Sequence, residues 1–140
     1  MSKVYLAVSM APDRLLGHVK EDGKIIRSQV GLDDEIGHVN LRNGHIFEQR
    51  FGPDKKFGHV DLVDGKVYLS RFGPDKYVGQ VMADGRMYYH VPMGRDDYVG
   101  QVESFVSYAH SGGAFLLLVL PALEDQDQNG SPDQRDETAA

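Results

Sequence analysis

Phe57 to Lys76 reads FGHVDLVDGKVYLSRFGPDK, and near-copies of this stretch make up most of the chain. IGHVNLRNGHIFEQRFGPDK begins at Ile36, VGQVMADGRMYYHVPMGRDD at Val78 and LGHVKEDGKIIRSQVGLDD at Leu16. The aligned glycines are Gly17, Gly37, Gly58, Gly79 and Gly100, spaced by 20, 21, 21 and 21 residues. Self-similarity at a fixed period of this length marks a repeat architecture.

Each unit divides into two strand-like halves. The first is an apolar residue, Gly, His or Gln, then Val, as in Leu16–Val19, Ile36–Val39, Phe57–Val60, Val78–Val81 and Val99–Val102. The second opens with two apolar residues: Ile25–Ile26, Ile46–Phe47, Val67–Tyr68 and Met87–Tyr88. Between them lie Asp22-Gly23, Asn43-Gly44, Asp64-Gly65 and Asp84-Gly85. These pairs supply the positive φ that type I′ hairpin turns demand, so Gly23, Gly44, Gly65 and Gly85 read as structural turn residues. A second turn follows each second half, Gly52-Pro53-Asp54-Lys55 and Gly73-Pro74-Asp75-Lys76, with looser versions at residues 31–34 and 94–97. Short turns at both ends force consecutive strands antiparallel. The fold class is therefore all-β, a pseudo-symmetric meander of β-hairpin repeats of about 20–21 residues.

The chain ends make sense against this unit. Lys3-Val4-Tyr5-Leu6 matches Lys66-Val67-Tyr68-Leu69, so the protein starts with a second half that lacks its first. After Val99–Val102 comes an insertion from Glu103 to Ser111. Gly112-Gly113 then stands where Asp-Gly stood, and Ala114–Leu120 reads as a last strand covered on both faces. A short helix capping the repeat body is the alternative, since Leu-rich runs suit helices. A membrane span over Phe105–Leu123 fits worse: it holds Ser107, His110, Ser111 and Pro121, and acids rather than cations flank it.

Composition narrows the function classes. The 140 residues set a prior of one domain, expected over residues 1–123, with a disordered acidic tail at 124–140. That tail holds six acids and one arginine, net −5, against −6 for the whole chain. The body is then near −1 and carries no basic stripe, which argues against a nucleic-acid partner. There is no cysteine, so disulfides and Cys-based zinc sites are excluded. No long apolar leader opens the sequence, and a cytoplasmic setting follows as the default.

The pattern resembles the four-fold β-flower domains of bacteria. The resemblance rests on the apolar-Gly-x-Val half, the Asp-Gly turn, the Val-Tyr half and the ending Gly-Gly-Ala-Phe-Leu-Leu-Leu, and covers about residues 3 to 120. It implies hairpins arranged pseudo-symmetrically about an axis, with no assigned activity. This chain departs from a count of four: four hairpins are complete, a fifth includes the insertion, and the strand at Val4 is left over. Either that strand and the last unit close the ring together, or the symmetry is not four-fold.

Candidate chemistry centres on the position after each repeat glycine: His18, His38, His59, Gln80 and Gln101. Facing the axis, three imidazoles could hold a first-row metal or a small ligand. Simple alternation places His18 on the side of Leu16, whereas a β-bulge at Gly17 puts Leu16 and Val19 together in the core and turns His18 away. Phe47, Tyr68, Tyr88 and Tyr5, with Ile26, form a second set that suits strand packing or a stacked flat ligand. The turn acids lack the spacing of a calcium loop. His45, His90 and His110 read as polar surface residues. With no nucleophile elbow, phosphate loop or HExxH pair present, the expectation is a non-enzymatic structural or interaction module without a cofactor. Its partner would be another protein or further copies of itself, with a membrane disfavoured. The alternative is a ligand- or metal-binding domain built on the repeated histidines.

Overall fold

The computed structural model describes residues 1–29 and 32–130. Ten strands run as an antiparallel meander: β1 (Ser2–Leu6), β2 (Arg14–Val19), β3 (Lys24–Gln29), β4 (Leu32–Val39), β5 (His45–Glu48), β6 (Lys55–Val60), β7 (Lys66–Leu69), β8 (Lys76–Val81), β9 (Arg86–Tyr89) and β10 (Asp97–Val102). The sheet closes into a barrel because β1 pairs with β10, from Val4↔Val102 to Leu6↔Gly100. The unpaired second half at the N-terminus and the unpaired first half near the C-terminus thus complete one another, and no edge strand is left exposed.

A bulge recurs at the apolar-Gly step of every first-half strand. Val4 pairs with Gly17 and Tyr5 with Leu15, leaving Leu16 as the extra residue; Ile36, Phe57, Val78 and Val99 are skipped in the same way. The bulge lets Leu16 and Val19 both enter the core while His18 faces out. Facing the glycine across the pair is a second-half strand, and a side chain at Gly58 would collide with the Tyr68 carbonyl.

The Asp-Gly and Asn-Gly loops differ from the expected two-residue turns. Lys20 donates its N–H to the Lys24 carbonyl, so Glu21, Asp22 and Gly23 form a three-residue loop, and residues 83–85 repeat it. Leu41–Gly44 and Leu62–Gly65 are four-residue loops, closed by Asn40 N–H to His45 O and Asp61 N–H to Lys66 O. Only the glycine has positive φ in each, between 76° and 96°, whereas type I′ needs two such residues. The aspartate or asparagine instead stays right-handed and accepts a hydrogen bond from the N–H two residues on, as Asp64 does from Lys66. Asp33 and Asp34, placed by sequence in a turn, lie within β4 opposite Ser28 and Arg27; Gly31 falls outside the described residues.

The apolar run after the barrel is helical, not a strand. Helix α1 (Tyr108–Ala114) leads into a π-helical turn (Phe115–Val119) and then helix α2 (Leu120–Gly130). Gly112 and Gly113 are not a turn. They lie inside α1, where Gly112 abuts Val60 and Gly113 meets Ile25 and Val39. Every residue from Ala109 to Leu120 is buried, because the helix runs through the lumen and the wall surrounds it on all sides. That is why Ala114–Leu120 is apolar at each position without a helical period. Pro121 accounts for the π-turn: it has no N–H for the Leu117 carbonyl, and its ring would crowd that turn, so the ladder widens and Leu120 bonds to the Phe115 carbonyl. The helix continues to Gly130, so the first seven residues of the expected tail are helical. The rest of that tail, 131–140, lies outside the described residues. Among the described residues no helix is long and apolar enough to cross a membrane.

Wall and helix interlock through the bulge glycines. A Cβ built on Gly79, Gly58 or Gly37 would lie 2.6, 2.5 or 2.7 Å from Phe115, Leu116 or Leu117, so the helix side chains occupy the room that a missing side chain leaves. Replacing Gly58 with valine should then destabilise the protein by about 3 kcal/mol through overpacking. A denaturant titration checks this, and a midpoint unchanged from wild type would remove the interlocking argument.

Candidate functional site

The five repeated residues His18, His38, His59, Gln80 and Gln101 lie on the outer wall. Each sits opposite one member of the aromatic set: His18↔Ile26, His38↔Phe47, His59↔Tyr68, Gln80↔Tyr88 and Gln101↔Tyr5. The ring of His38 stacks on Phe47 at 5.0 Å and 15°, and that of His59 on Tyr68 at 4.8 Å and 12°. These are cross-strand pairs of the kind that stabilise sheets by a few tenths to about 1 kcal/mol each.

Three of the five also reach the turn acid that follows their own hairpin. His38 Nδ1 is 3.6 Å from Asp54, His59 Nδ1 is 3.2 Å from Asp75, and the Gln101 amide donates to Asp13 at 3.4 Å. Gln80 instead donates to the Asp64 carbonyl at 2.8 Å. The five side chains therefore point away from the axis and do not converge, and no cluster of three or more metal-binding side chains occurs among the described residues. An axial metal or ligand site also lacks space, since the helix fills the lumen. The axial expectation is corrected accordingly. Sequence alternation without the bulge suggested it, and the bulge reverses the face.

Three histidines outside the repeat position depart from simple surface roles. His90 Nδ1 lies 3.1 Å from Asp96, and its ring is 4.6 Å from Tyr77. His45 is half-buried beside His59, with ring centroids 6.5 Å apart. His110 is buried, not exposed. Its Nε2 donates to the Glu21 carbonyl at 2.8 Å, and its Nδ1 accepts from Ser107 Oγ at 2.7 Å. Ser107 also caps α1 by accepting from the His110 N–H. The pair fastens the helix entrance to the β2–β3 turn. Its signal in the sequence was a Ser three residues before a His at the start of a buried run.

The opposite rim carries residues that the repeat analysis passed over. The β1–β2, β5–β6, β7–β8 and β9–β10 loops end in Met10, Phe51, Phe72 and Met93, all wholly exposed. Leu32, at the start of β4, is exposed beside them. The signal was a large apolar residue just before the turn, as in Arg50-Phe51-Gly52 and Arg71-Phe72-Gly73. Compared with protein families, curated proteins and solved structures, the chain matches none.

The environment of His45 predicts a pH response. Burial, then the charges of Lys56 and His59, hold its pKa below the ordinary 6.5. The unfolded chain therefore takes up the proton first, and stability falls as pH drops through about 6.5 towards the lower folded value. Melting at pH 7.5 and 5.5 should show a larger drop for wild type than for His45→Gln. Equal drops would mean that His45 is not a contributor.

Proposed function

We propose that the protein is a non-enzymatic interaction module, assembled from five copies of one β-hairpin about the barrel axis and allied to the four-fold β-flower domains that its sequence resembles. The carrying observation is the apolar rim: Met10, Phe51, Phe72 and Met93 stand at 103, 110, 105 and 106% of their reference exposure. Met10 and Met93 do so from left-handed backbone, φ 59° and 62°, which disfavours a non-glycine residue by about 1–2 kcal/mol. These side chains contribute nothing to the core. Covered by a partner, each would gain about 25 cal/mol per Å² of apolar surface removed from water.

The chemistry of the rim favours a protein partner. Arg50 and Arg71 precede the two phenylalanines, and aromatic residues with arginine dominate interface hot spots. Asp96 and Asp97 at the β9–β10 loop and Asp125 beside Arg14 stand on the same rim, a mixed charge ill suited to a phosphate backbone or an anionic bilayer. Strands of four to eight residues, apolar towards the lumen, are the inverse of a membrane barrel, whose strands run about 9–11 residues and are apolar outside. A cytoplasmic setting, expected of this cysteine-free chain, belongs to the same reading.

A photo-crosslinking amino acid at Phe51 or Phe72, introduced in the native host, tests the proposal. A discrete adduct with one protein is expected from both rim positions and not from Lys3 on the outer wall. Phe72→Ser should abolish the adduct formed from position 51. Equal, diffuse labelling from rim and wall positions would sink the reading.

A further inference from the structure

Across the wall from each bulge glycine stands one lumen-facing residue of the neighbouring second-half strand: Leu6, Arg27, Glu48, Leu69 and Tyr89. Leu6, Leu69 and Tyr89 pack against the core and close the gap between wall and helix. Arg27 and Glu48 do not: Glu48 is ion-paired with Arg50, whereas at the register of Arg27 a cleft of about 280 Å³ opens between β2, β3 and the helix, close to the small end of ligand cavities, about 300–1,000 Å³. Gly17, at the same level, is like Gly100 and unlike Gly37, Gly58 and Gly79: its three closest contacts are all wall backbone, with no helix side chain among them, and unlike Gly100 it has no core-packed leucine opposite.

The floor of this cleft is a narrow apolar strip, formed by Leu16, Leu117, Leu118 and Ala122, each only 4–7% exposed, with Pro121 beside them. Its mouth carries two guanidinium groups. Arg14 pairs with Leu6 and Arg27 with Gly17, registers on adjacent strands that both face the lumen side. Among the described residues neither arginine makes an ion pair, although Asp34 is opposite Arg27 on β4 and Asp125 lines the far edge. Guanidinium groups beside an apolar strip suit a carboxylate, which each can hold by bidentate hydrogen bonds, with a short hydrocarbon body along the strip.

We propose that this cleft binds a small amphipathic carboxylate, with its head on Arg14 and Arg27 and its chain against Leu117, Leu118 and Ala122. The site is independent of the apolar tips: it lies between wall and helix, and its ligand is a small molecule. Occupancy would bridge strand and helix, so the ligand also stabilises the fold it enters.

Calorimetry with octanoate as the probe tests this, with octanol to keep the body without the charge and inorganic phosphate to keep the charge without the body. Saturable binding at one octanoate per chain is expected, with a rise in melting temperature and at least tenfold weaker binding of either control. Arg14→Gln and Arg27→Gln should each weaken octanoate at least fivefold while leaving the melting temperature of the free protein nearly unchanged, since both side chains are exposed. Ala122→Leu should block binding by filling the floor with both charges intact. No saturable octanoate binding to wild type would overturn the proposal, and so would affinity that all three variants retain. Phe72→Ser should bind octanoate as wild type does, which separates this result from that of the crosslinking experiment.

Discussion

The lumen of the barrel must be filled, and the rest of the structure follows from how that is done. Eight strands leave an interior that wall side chains can occupy by themselves, and ten leave more. Here a helix takes up the space. A helix brings its own bulk, so the wall has to recede where the two meet, and glycine at the bulge is that recession. Phe115, Leu116 and Leu117 occupy the room beside Gly79, Gly58 and Gly37. The helix in turn thins at Gly112 and Gly113, where Val60, Ile25 and Val39 press in. Each partner is small where the other is large.

The outer wall obeys a separate rule. Because the bulge turns the residue after each glycine outward, that position is free of core duty and answers to its cross-strand neighbour and, at His38, His59 and Gln101, to the turn acid that closes the same hairpin unit. Histidine serves both, stacking on Phe47 or Tyr68 and reaching Asp54 or Asp75. The recurrence of histidine thus has a local explanation in sheet pairing, without a shared ligand.

Much of this was legible in the sequence, because hairpins are local. The strand halves, the glycine turns and the alternative with a bulge could be read from residues two to five apart. What escaped depends on contacts far along the chain. Ala114–Leu120 is apolar at every position whether a sheet covers two faces or a barrel surrounds a helix, and only closure by β1 and β10 decides between them. His110 looked polar and exposed because the carbonyl that its ring bonds, that of Glu21, lies in the distant β2–β3 turn. Arg27 carries no local signal, since only the register places it level with Leu6, Leu69 and Tyr89.

The split hairpin formed by β1 and β10 also has a consequence for how the chain is made. β1 leaves the ribosome before the other nine strands and finds its partner only when β10 has been synthesised, while the helix that fills the interior follows later still. Until then the growing meander is an open, curved sheet with two free edges and an unfilled apolar inner face, a form prone to pairing with other nascent chains. The early hairpins can fold one at a time, but the barrel itself can close only once β10 is available to β1.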